Sequence, residues 1–193
     1  MYRTSYPNEN KDILVSVLAL TAAFAIAFRF SSPYGTGFVI AVAFLVSITA
    51  FLFHELAHRY VARSYGGVAY FKMWPLGILL ALVTSVFGFI FAAPGAVNFS
   101  GVYRKDQVGK TALAGPATNV GVGLILYVSG MMIPVGIVSA VLIYTATMNF
   151  WFGFFNLLPI PPLDGYKVLS WDIYAFLVAI IIALIFVALT VRF

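Results

Sequence analysis

Six long apolar runs follow one another along this chain, at residues 13 to about 30, 38 to about 62, 76–93, 108 to about 132, 135–158 and 173–191. A helix that crosses a bilayer needs about 20 consecutive apolar residues, and each run is of that order. Only 9% of the 193 residues are charged, against about 25% in a soluble domain. So few charges cannot cover a surface that faces water. The expected fold is an all-α polytopic membrane protein, a bundle of about five or six transmembrane helices. The net charge of +5 does not point to nucleic acid, because the eleven basic residues sit at the ends of apolar runs, where they orient a membrane protein. The stretch 1–12 is polar and lacks the basic start, short apolar core and cleavage site of a signal peptide.

Charge placement constrains the topology. Arg59, Arg63 and Lys72 follow the second run, and Arg104, Lys105 and Lys110 lead into the fourth. The positive-inside rule places both clusters in the cytoplasm. The run 76–93 lies between them, so it is expected to dip into the membrane and return. Gly77, Gly88 and Pro94 suit such a broken, re-entrant segment. The alternative is an ordinary sixth span with Arg104 and Lys105 outside. Residues 97–103 roughly alternate in polarity and read as a short β-strand. The fourth run is interrupted at Gly115-Pro116. In this topology the inner ends of the second and fifth runs share one side.

Within the second run, residues 51–60 read Phe-Leu-Phe-His-Glu-Leu-Ala-His-Arg-Tyr. The core is H-E-x-x-H. Residues four apart share a helix face, so His54 and His58 can reach one zinc together, with Glu55 beside them to take a proton from water. These are the chain's two histidines. Such residues inside an apolar run are costly unless paired or used. The plainer alternative is a set of interfacial polar residues, with Glu55 paired to Arg59 one turn on.

A catalytic zinc takes three protein ligands. The chain has no cysteine and no third histidine, so a carboxylate must complete the set. Among the six carboxylates, Glu9 and Asp12 lie in the polar N-terminus, Asp106 sits among Arg104, Lys105 and Lys110, and Asp172 stands where a helix N-cap is favoured. With Glu55 assigned as base, Asp164 remains. Pro159, Pro161 and Pro162 precede it, forbidding a regular helix and holding the backbone extended, while Gly165 permits a sharp turn. The alternative is an ordinary Pro-rich connection ending in Asp-Gly.

The two motifs together, His54-Glu55-Leu56-Ala57-His58 and Asn156-Leu157-Leu158-Pro159 leading to Leu163-Asp164-Gly165, resemble the site-2 protease family of intramembrane metalloproteases. Residues 114–119, Ala-Gly-Pro-Ala-Thr-Asn, are similar to the small-residue and Asn pattern of that family. The resemblance covers a core of about residues 38–166 within a single membrane-embedded domain, 1–193. It implies one zinc per chain, and cleavage of membrane-spanning protein substrates inside the lipid bilayer. It also implies an active site toward the cytoplasmic side. A compact chain without cysteine or accessory domains is expected in a prokaryotic cell membrane. The resemblance supports Asn156 as an oxyanion donor, with a helix-end hydrogen bond as the equal alternative. Asn119 is a weaker candidate for facing substrate, since a polar amide in a span commonly bonds a neighbouring helix. An extended substrate is expected to add as a strand to an exposed edge, at 97–103 or at 68–73.

Two other classes fit the same ligands: a membrane metal transporter, and a metal-binding scaffold without catalysis. A transport path needs further polar ligands, and no other histidine or mid-span acid is present. A scaffold has no use for Glu55 beside the metal.

Overall fold

The computed structural model describes residues 6, 8–29, 34–90 and 93–190. The polar stretch 1–5 and the turn expected at Ser31-Ser32-Pro33 lie outside these. The first run forms α1, Glu9–Phe28. The second forms one continuous 29-residue rod, Thr36–Ser64, made of α2 (Thr36–Val46), a π-helical turn (Ser47–Leu52) and α3 (Phe53–Ser64). At the start of the π-helical turn the hydroxyls of Ser47 and Thr49 donate back to the carbonyls of Ala43 and Leu45, each at 2.8 Å. Such back-bonding competes with the regular backbone ladder and loosens it.

The third run does not cross. Val68–Met73 (β1) leads into α4, Pro75–Ser85, which returns to Gly95–Ser100 (β2). Proline at the first turn starts α4 without losing a helical hydrogen bond. Eleven residues rise about 16 Å, roughly half the hydrocarbon thickness. β1 and β2 pair antiparallel with Met73 opposite Gly95, and the Trp74 amide donates to Pro94 O at 2.8 Å. The segment therefore leaves and re-enters at one end of the bundle, the arrangement the flanking charge clusters favoured over an ordinary sixth span.

The remaining elements are α5 (Lys105–Met132), α6 (Ile137–Asn156), α7 (Asp164–Trp171) and α8 (Ile173–Thr190). The expected interruption at Gly115-Pro116 does not occur, and Pro116 lies inside an unbroken α5. Neighbouring helices compensate the one backbone bond that a proline removes from a membrane helix, and α5 packs against both α3 and α6. Among the described residues five rods are long and apolar enough to span, and the chain is a multi-pass membrane protein. Their outer faces expose Leu14, Leu18, Ile125, Ile181 and Leu184. Their inner faces bury Val46, Ala50, Ala146 and Phe150.

Candidate metal centre

His54 and His58 stand one turn apart on the face of α3 that packs against α5. His58 Nδ1 lies 2.7 Å from the Thr111 carbonyl of α5. A carbonyl only accepts, so Nδ1 carries a proton, and in the neutral imidazole Nε2 presents a lone pair. His54 Nδ1 lies 2.6 Å from Asn119 Oδ1, and the Asn119 Nδ2 donates to Ala50 O at 2.8 Å. That contact and the approach of Asn149 Oδ1 to the same nitrogen turn the amide oxygen toward His54, so in the neutral imidazole Nε2 is here too the nitrogen with the lone pair. The two Nε2 atoms face each other at 2.9 Å.

Asp164 closes the group. Its Oδ2 lies 3.3 Å from His54 Nε2 and 3.1 Å from His58 Nε2, while Lys167 donates to its other oxygen at 3.3 Å. The three side chains are buried, and their donor atoms all lie within 4.8 Å of one another. With both imidazoles neutral, two lone pairs and a carboxylate crowded together away from water repel one another, and a cation among them relieves this. Two imidazoles and one carboxylate form a donor set of catalytic zinc, so the residues fit that metal.

The backbone at Asp164 corrects one expectation. The proline stretch ends at Leu163 (φ −63°, ψ 159°), and Asp164 is the first residue of α7, not part of an extended segment. A carboxylate is favoured there by the positive end of the helix. Gly165 makes no turn either. A Cβ at this position would collide with the Leu157 carbonyl, so the glycine lets the start of α7 press against the end of α6.

Glu55 Oε2 accepts from the Val97 amide at 2.7 Å, on the edge of β2 that faces away from β1. The alternative pairing of Glu55 with Arg59 is not formed: Arg59 Nη1 donates to Glu9 Oε1 at 2.7 Å. Glu9 and Asp12, expected in a polar N-terminal stretch, belong to α1. They accept from the Phe71 amide (2.9 Å) and the Met73 amide (3.1 Å) of β1. Asp106 pairs with Arg104 and Lys110, and Asp172 Oδ1 accepts from the Ala175 amide at 2.8 Å, both as expected.

The two asparagines fall in different places. Asn156 ends α6, and its amide donates to Phe152 O of the same helix at 3.0 Å, the local contact weighed as the alternative. Asn119 is wholly buried, with both ends of its amide engaged by the protein. It does not face a substrate, because its oxygen is held by His54.

Gly115 is a residue that sequence reasoning noted only as part of a pattern. A Cβ there would stand 2.5 Å from His58 Nε2 and 2.7 Å from His54 Cε1. Only glycine lets α5 lie directly against both imidazoles. The small residues around it, Ala114 and Ala117, were the available signal.

No family model matches the chain. Over 164 residues it is 39% identical to a Methanocaldococcus jannaschii protein named "Putative zinc metalloprotease MJ0611", covering 83% of each chain. It is 29% identical over 131 residues to "Zinc metalloprotease MJ0392" of the same organism, covering 67% of this chain but 33% of that longer protein. The fold is similar to the solved structure titled "Site-2 Protease from Methanocaldococcus jannaschii", with a TM-score of 0.51 and 16% identity over 93% of this chain and 87% of the other.

Proposed function

Because the chain belongs to the site-2 protease family of zinc metalloproteases, we propose that it hydrolyses peptide bonds within the transmembrane segments of other membrane proteins. The observation that carries this reading is the convergence of His54, His58 and Asp164 beside a carboxylate that touches a strand edge. In this reading those three residues hold the zinc. When bound, the metal makes water acidic enough to attack near neutral pH and polarises the scissile carbonyl. Glu55 takes the proton from the attacking water and returns it to the leaving amine. Asn156 serves the oxyanion by exchanging Phe152 O for the substrate oxygen.

The substrate unwinds and adds to β2. Along a strand the outward amides recur at every second residue, so Val97 and Phe99 both point away from β1. On β1 the outward amides of Phe71 and Met73 are already taken by Glu9 and Asp12. An added strand meets Glu55 at Val97, and its carbonyl competes with Glu55 for that amide.

His58 lies five residues before Arg63, about 7.5 Å along α3. Arg59, Arg63, Arg104, Lys105 and Lys110 cluster at this end of the bundle, which supports an active site near the cytoplasmic face of the membrane. The transporter alternative needs more ligands along a path, and among the described residues His54, His58 and Asp164 form the one group of three.

Zinc content and cleavage together test the reading. Wild type and Glu55→Gln should each hold one zinc, His54→Ala and Asp164→Ala should lose it, and only wild type should cleave a panel of single-span membrane proteins. Zinc retained in Asp164→Ala would displace the third ligand. Zinc-replete wild type that moves metal across vesicles but cleaves nothing would favour the transporter.

A further inference from the structure

The imidazoles are oriented by different means. His58 is held by a backbone carbonyl, whereas His54 is held by a side chain that is itself held by others. We propose that Thr49 and Asn149, two hydrogen bonds and more removed from the ligand, set the tautomer of His54 through Asn119 and are positioning residues for the metal centre. This rests on the reading of His54 as a zinc ligand.

The chain of contacts has one polarity. Thr49 Oγ1 donates to Leu45 O at 2.8 Å, a carbonyl that can only accept. With its proton committed, the Thr49 hydroxyl accepts from Asn149 Nδ2 at 2.8 Å. The same Nδ2 donates to Thr145 O at 2.9 Å, so both amide protons are placed and Asn149 Oδ1 is turned toward Asn119. Asn119 Nδ2 lies 3.5 Å from that oxygen and 2.8 Å from Ala50 O. Its own oxygen can then only face His54 Nδ1, at 2.6 Å. Flipping Asn119 would set its oxygen against those of Ala50 and Asn149, and flipping Asn149 would set its oxygen against that of Thr145, in a region where both asparagines are 0% exposed.

The relay joins three spans. Thr49 and Ala50 belong to the π-helical turn one turn ahead of His54, Asn119 to α5, and Asn149 to α6. Its output is a proton fixed on Nδ1 and a lone pair on Nε2, aimed at the point where Asp164 and His58 converge. Groups that orient a metal-ligating imidazole typically contribute about 10–100-fold in metal affinity.

The test is the zinc dissociation constant of the full-length, detergent-solubilised chain, measured by chelator competition. Thr49→Val removes the hydroxyl at constant shape and should weaken zinc by about tenfold, at the low end of the range for such outer partners. Asn149→Leu should do the same. Thr49→Ser keeps the hydroxyl and should restore wild-type affinity. The visible spectrum of the cobalt-substituted protein should shift in Thr49→Val and return in Thr49→Ser, which a general loosening of packing would not produce. Wild-type zinc affinity and an unchanged cobalt spectrum in Thr49→Val would overturn the relay, leaving the protease reading intact. A well-folded wild type that binds no zinc would sink both. Should Asn149→Leu fail to fold, the Thr49→Val and Thr49→Ser pair still decides.

Discussion

On the outer edge of β1 the amides of Phe71 and Met73 donate to Glu9 and Asp12. On the outer edge of β2 the amide of Val97 donates to Glu55. The bond type is the same, and what surrounds each carboxylate differs. Glu9 is also gripped by Arg59 at 2.7 Å, with Arg63 at 3.9 Å, and Asp12 is 3% exposed. Together they close an edge that would otherwise recruit another strand. Among the described residues no cation pairs with Glu55, which sits beside two imidazoles and is bonded to an amide that the proposed substrate strand would claim. A carboxylate locked by an ion pair seals its edge, whereas one balanced only by a backbone amide remains available for proton transfer.

The contrast can be broken at several points. Gly115→Ala should have the largest effect, driving α5 off the imidazoles so that zinc and all cleavage are lost. Metal analysis that found full zinc occupancy would mean the helices can separate without harm, and the catalytic edge would not depend on this close approach. Glu55→Gln should lower cleavage by about 10²–10⁴-fold with zinc retained, since an amide oxygen can still accept from Val97. Near-normal turnover would place the base elsewhere and make the two edges equivalent.

Smaller effects sharpen the comparison. Phe99→Pro removes one outward donor from β2 without touching the bonds to β1. It should reduce cleavage by up to about tenfold, the worth of one hydrogen bond, at normal zinc content. No change with any cleavable substrate would argue against strand addition at this edge. Glu9→Gln should leave the catalytic step alone and cost about 1–3 kcal/mol of stability, visible as earlier thermal unfolding in detergent. If it instead slowed cleavage without loss of stability, the β1 edge would have a share in the reaction.

The sequence by itself determined the apolar runs, the helical spacing of His54 and His58 with Glu55 between them, and the choice of Asp164 as the carboxylate that joins them; it favoured the return of the segment after β1 over an ordinary span. Those properties are local or compositional. Apolar run length decides what can cross a bilayer, a 3.6-residue period puts residues four apart on one face, and a chain without cysteine has few metal donors to choose from. Tertiary structure alone decided the rest. Asp164 begins a helix because the constraint from the prolines ends at Leu163. Asn119 turns to His54 and away from substrate because Ala50 and Asn149, which lie 69 and 30 residues from it in sequence, take its other end. Gly115 matters because α5 crosses α3 at that residue, and Glu9 and Asp12 serve the sheet because α1 runs alongside β1. Each is a contact between segments far apart along the chain. No periodicity encodes such contacts, because they depend on how the helices cross and not on what any one helix contains.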